Sequence, residues 1–283
     1  PRSCVGLLRA QLPASGGATP KSARVASAAV DLGIIGRRAA VAAASAGLGL
    51  GCARALVREG VHVAICGREA ERVSAAVARL EAEATGGATV TGLVADVATI
   101  AGATGFVQDA VGALGGLDIL VTNAGGPPPG TFASTDLDAY LPALELNLLS
   151  TVAMCRAAVP AMAERGWGRV VAITSVTVRH PAAMLILSNT ARAGATAFLK
   201  TLATEVAPRG VTVNSVQPGL HATDRLLQLH GGDVSGVGAA VPVGRVGDPD
   251  DFGAAVAFLC SQPAGFITGA ALQIDGGAYP GLM

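Results

Sequence analysis

The strongest constraint on this chain is its rhythm. From residue 38 to residue 274, short apolar runs alternate with stretches patterned for helices. Strands are predicted at 38–44, 61–66, 90–94, 118–122, 169–174, 211–216 and 271–274. Helices are predicted at 49–59, 69–84, 101–114, 136–165, 188–206 and 250–261. The second of these carries Val73, Ala76, Val77 and Leu80, the three-and-four spacing of one buried face. The strands are apolar on both faces rather than alternating. Repeated alternation of such strands with helices predicts a parallel sheet covered on two sides. No sequence is left over for a second core, so the expected fold is a single doubly wound α/β (Rossmann) domain at 37–283. Residues 1–36, with Ser15-Gly16-Gly17-Ala18-Thr19-Pro20 in their middle, read as a disordered N-terminal extension.

Composition removes several functions. The chain is 51% hydrophobic, yet its longest charge-free run, 252–274, contains Ser261-Gln262-Pro263-Ala264-Gly265. That segment would break a spanning helix, so no membrane partner is expected. Twenty basic residues balance twenty acidic ones, which leaves no electrostatic footprint for nucleic acid. Five cysteines are scattered without CxxC or Cys/His spacing. Neither a metal site nor a disulfide framework is expected, and a cytoplasmic location fits.

Between the first strand and first helix stands Ser45-Ala46-Gly47-Leu48-Gly49. Glycines let backbone amides close on a diphosphate, and the helix N-terminus adds partial positive charge. A strand before and a helix after make this a nucleotide turn rather than an ordinary one. The second strand ends in Cys66-Gly67-Arg68, with no acid to hold adenosine ribose hydroxyls. A guanidinium at that place pairs with a 2′-phosphate, which favours NADP over NAD. Alternatively, Arg68 simply pairs with Glu69 or Glu71.

With these pieces placed, residues 38–277 resemble the short-chain dehydrogenase/reductase family. The family's Thr-Gly-x-x-x-Gly-x-Gly is represented by Ala42, Ala43, Gly47 and Gly49, its adenine-contacting acid by Asp96 before Val97, and its Asn-Asn-Ala-Gly by Thr122-Asn123-Ala124-Gly125. Pro218, Gly219 and Thr223 match the turn that faces the nicotinamide amide. The resemblance implies hydride transfer between a nicotinamide coenzyme and a small-molecule carbonyl/alcohol pair. It also implies a flexible substrate lid at about 224–241, Leu-rich and suited to a lipophilic substrate, and a homodimer or homotetramer.

The family's catalytic tetrad is Asn-Ser-Tyr-Lys. Asn147 and Ser175 match its first two members. Tyrosine follows the serine by about thirteen residues in that family; here the position is Ser188, and the lysine four further on is Arg192. Divergent 3-oxoacyl-[acyl carrier protein] reductase-like members share this Ser/Arg pattern. A serine hydroxyl is a poor general acid at neutral pH, and arginine keeps its proton. Three substitutes for the phenol stand open: His180, His221, and water acting through Ser175 and Ser188. A second reading is a catalytically impaired dinucleotide-binding member acting as a sensor or assembly partner.

Overall fold

The computed structural model describes residues 30–234 and 236–282. Seven strands form one sheet: β1 (Arg38–Val41), β2 (His62–Gly67), β3 (Val90–Val94), β4 (Ile119–Thr122), β5 (Gly168–Ile173), β6 (Val211–Pro218) and β7 (Ala271–Ile274). Their spatial order is β3-β2-β1-β4-β5-β6-β7, and every neighbouring pair is parallel. The order reverses between β1 and β4, which opens a crevice at the carboxyl edge there.

The helices are α1 (Gly47–Arg58), α2 (Ala70–Glu81), α3 (Ile100–Leu114), α4 (Tyr140–Leu144), α5 (Ser150–Glu164), α6 (Ile186–Val206), α7 (Asp224–Leu229) and α8 (Pro249–Leu259). Two apolar layers result, because alternate residues of each strand face opposite sides. Ala40 and Ala42 face α3, α5 and α6 through Phe106, Met154, Met162 and Leu199. Ala39 and Val41 face α1, α2 and α8 through Leu56, Leu80, Phe252 and Val256. The backbones of α1 and α8 nearly touch: a Cβ on Gly51 would collide with the Pro249 carbonyl, and one on Gly253 with that of Gly51.

Two expectations need correction, on the first strand and on the end of the extension, and two gain detail. The first strand stops at Val41, not residue 44, and Ala43 takes a left-handed φ of 47°. Alanine has little strand preference of its own, so the chain leaves the sheet where the turn begins. The long 136–165 segment is helical throughout, from Leu137 to Glu164. It starts as a 3₁₀ turn at Leu137–Ala139 and widens into a π-turn at Glu145–Leu149 before α5. The 224–241 lid is partly ordered, with α7 and a 3₁₀ turn at Val237–Ala240. The 1–36 extension lies mostly outside the described residues, but its last part is packed: Ile34 is buried and the Leu32 carbonyl accepts from the Gln262 amide at 2.8 Å. The 137–164 stretch is apolar and long enough to cross a bilayer by composition, but Met154, Cys155, Val159 and Met162 spend that apolarity in the core.

Candidate active site

The turn after β1 is shaped by close approach. A side chain at Gly49 would strike the Ala43 carbonyl and Ala44, so the first turn of α1 can pass there only with glycine. Gly49 therefore packs inward, while Ser45, Gly47 and Leu48 line open space. Asn123 donates from Nδ2 to the Ala43 carbonyl at 3.1 Å and pins the turn to the end of β4. Helix α1 has no side-chain cap and no acid in its first turn. Its leading amides are thus left for a ligand, and a diphosphate satisfies both them and the helix dipole.

Two hollows adjoin along the carboxyl edge. One, of about 330 Å³, is lined by Ser45, Gly67, Arg68, Arg72, Asp96 and Val97 among others. The other, of about 470 Å³, contains Gly47, Leu48, Asn123, Ala124, Gly125, Ser175, Ser188, Arg192, Pro218, Gly219 and Thr223. Arg68, Arg72 and Gly125 line both, so the hollows form one elongated cleft. Such a shape fits a dinucleotide. Arg68 is exposed and has no ion pair among the described residues, because Glu69 turns to Arg72, Nη1–Oε1 3.7 Å.

The end of β5 delivers Ser175, and the first two turns of α6 deliver Ser188 and Arg192. Ser175 Oγ accepts from the Thr177 hydroxyl at 2.9 Å and from the Thr177 amide at 3.1 Å. With its acceptor capacity engaged from behind, its own proton remains to be donated into the cleft. Ser188 Oγ likewise accepts from Arg192 Nε at 3.3 Å. The Arg192 guanidinium donates from Nη1 to the Ile173 and Thr174 carbonyls at 3.0 and 3.1 Å, and from Nη2 loosely to Gly125 at 3.5 Å. Burial, then the charge of Arg225, pushes Arg192 down to about 10, which still leaves it a cation at neutral pH.

Asn147 sits in the π-turn, buried, and does not line the cleft. Its Nδ2 donates to the Gly125 carbonyl at 2.8 Å, while Oδ1 has no protein partner. It reaches the site only through Gly125, the residue that Arg192 also touches. His221 lines the cleft, edge-on to Phe252, with Nδ1 3.2 Å from the Gly219 carbonyl, and burial lowers its pKa. His180 stands against the Tyr279 ring at 6.4 Å and is not among the cleft residues.

Two residues of the site escape a reading of the sequence. Arg72, in the first turn of α2, joins Arg68, which precedes that helix, along the same cleft. Thr177 carries no signal in the chain, since its bearing on Ser175 depends on a 3₁₀ turn.

A family model described as Enoyl-(Acyl carrier protein) reductase matches residues 42–279. Dehydrogenase/reductase SDR family member 4 of Sus scrofa is 35% identical over 264 residues, 92% of this chain and 94% of that protein. L-rhamnose 1-dehydrogenase (NAD(P)(+)) of Azotobacter vinelandii is 33% identical over 258 residues, covering 88% and 99%. Among solved structures, L-sorbose reductase of Gluconobacter frateurii, complexed with NADPH and L-sorbose, superposes with a TM-score of 0.82 at 31% identity, over 89% of this chain and 100% of that one. The chain belongs to the short-chain dehydrogenase/reductase family: it is an enzyme, a carbonyl/alcohol oxidoreductase of the kind that works with a nicotinamide dinucleotide.

Proposed function

We propose that the coenzyme is NADP(H) and that the reaction interconverts a carbonyl and an alcohol on a small substrate with a lipophilic body, without a tyrosine. One observation carries the tyrosine-free chemistry: both serine hydroxyls line one cleft and accept hydrogen bonds from the protein, from Thr177 and from Arg192, which leaves their own protons for a substrate oxygen. The bound coenzyme supplies or takes the hydride. The α1 amides at Gly47 and Leu48 hold its diphosphate, Asp96 and Val97 flank its adenine, and Arg68 with Arg72 takes the 2′-phosphate. Ala124 and Gly125 form one wall, while Pro218, Gly219, Thr223 and Arg192 hold the nicotinamide half.

Negative charge grows on the substrate oxygen during reduction. Ser175, Ser188 and the Arg192 cation stabilise it in place, as preorganised donors do for an oxyanion. Neither serine nor arginine releases its proton at neutral pH, so the oxygen takes its proton from water. Asn147 holds Gly125, and through it the position of Arg192. Leu185, Leu226 and Leu229 supply the apolar wall. A homo-oligomer suits the exposed Leu137, Leu141 and Phe266, and the edge strand β7, which pairs only with β6 among the described residues. A cytoplasmic location fits four buried free cysteines, Cys66 among them with its thiol pushed up to about 12 by burial.

Fluorescence titration with NADPH and NADH tests the coenzyme assignment. NADPH binds at least tenfold tighter, and Arg68→Gln with Arg72→Gln abolishes that margin. Equal affinity of the native protein for both coenzymes, or none for either, overturns the assignment.

A further inference from the structure

Arg225 is the cation of the lid helix α7, and it lies across the cleft rather than in solvent. Its Nη2 donates to the Pro127 carbonyl at 2.9 Å, and the guanidinium presses so closely on Gly126 that a Cβ there would stand 2.7 Å from Nη2. Among the described residues, neither Arg225 nor Arg192 has a carboxylate within ion-pair distance. The neighbouring Asp224 does not serve them, since it turns to Arg72, Oδ2–Nη2 3.6 Å. Arg192 spends Nη1 and Nε on protein and holds Nη2 only loosely, at 3.5 Å. Two like charges thus share one partly desolvated cleft. That arrangement is costly until an anion completes it.

We propose that Arg225, with Arg192, is an anion-holding site and that the substrate is an amphiphilic carboxylate, its acid group at Arg225 and its apolar body against Leu185, Leu226 and Leu229. This rests on the oxidoreductase reading above and names the substrate class for the same cleft. The diphosphate of the coenzyme is the rival occupant of Arg225, because a Cβ on Gly47 would stand 3.5 Å from the methyl of Thr223, which leads into α7. The guanidinium itself leans on the Gly126–Pro127 bank, and the titration below separates the two occupants.

The test is calorimetric titration of octanoate and octanamide into the protein saturated with NADP⁺, and again without coenzyme. Octanoate binds at least tenfold tighter than octanamide, Arg225→Gln abolishes the difference, and Arg225→Lys retains part of it. Equal binding of acid and amide overturns the proposal, as does an unchanged acid preference in Arg225→Gln. Loss of NADP⁺ affinity in Arg225→Gln with the acid preference intact assigns the guanidinium to the diphosphate and overturns it too. The NADP(H) reading fails separately: no coenzyme heat in the native protein, with octanoate still preferred, removes that reading and leaves the anion site standing.

Discussion

The two edges of the sheet treat arginine in opposite ways. At the amino edge, Arg38 opens β1 and grips Asp118 with Nε and Nη2, each at 2.9 Å, while its own amide donates to the same carboxylate at 3.1 Å. Arg165 adds a weaker pair at 3.7 Å. Arg37 and Arg169 stack on Trp167, at 3.9 and 4.4 Å from the ring centroid. The pair at the centre of that edge is closed by a buried carboxylate. At the carboxyl edge, Arg192 and Arg225 meet only neutral oxygens and Arg68 has no ion pair among the described residues, while Arg72 reaches Glu69 and Asp224 only at 3.7 and 3.6 Å between exposed side chains. The amino edge is finished by its own residues, and the carboxyl edge is completed by what it binds, as the strand order of a doubly wound sheet leads one to expect.

Substitutions can break or sharpen this contrast. The largest effect belongs to Arg192→Met, which removes the oxyanion-facing cation and lowers kcat/KM by about 10³-fold. The melting curve checks that the fold persists, and an activity loss below tenfold would sink the role given to Arg192. At the other edge, Asp118→Asn costs about 2 kcal/mol of stability, because a buried partner of Arg38 is lost, while coenzyme affinity stays as in the native protein. Burial raises the Asp118 pKa and the Arg38 contacts more than reverse that, so the net shift is downward. A carboxylate lowered in the folded state stabilises above its unfolded pKa and loses that contribution as pH falls through the folded value. The native and Asp118→Asn proteins therefore differ in denaturant midpoint at about pH 6 and converge as the pH falls below 3.8.

The smallest effect lies between the edges. Ala43 holds a φ of 47°, which costs a residue with a Cβ about 1–1.5 kcal/mol, against a glycine entropy penalty of about 0.5–1 kcal/mol. Ala43→Gly accordingly raises stability by about 0.5 kcal/mol, measured by chemical denaturation. A clear loss would show that the Ala43 methyl packs usefully against the core.

Much of this is legible in the chain. Strand–helix alternation specifies the sheet, and the spacing from Ser175 leads to Ser188 and Arg192, which the fold does bring into one cleft. Other features depend on what only folding creates. Alanine carries no marker of where a strand ends, so the sequence predicts β1 too long. A π-turn leaves no distinct apolar period, so the motif places Asn147 at the site although it stands behind Gly125. Arg225 looks like a lone lid charge in the sequence, because having no carboxylate nearby is a property of space.

The near-contact of α1 with α8 has a consequence for how the protein is made. Gly51 and Gly253 meet backbone to backbone although about two hundred residues separate them. During synthesis the helix that carries the nucleotide turn is made about two hundred residues before the helix that covers its glycine face. Such a long-range contact sets late and slowly. The glycine face of the helix that carries the nucleotide turn is therefore covered only once α8 has been made.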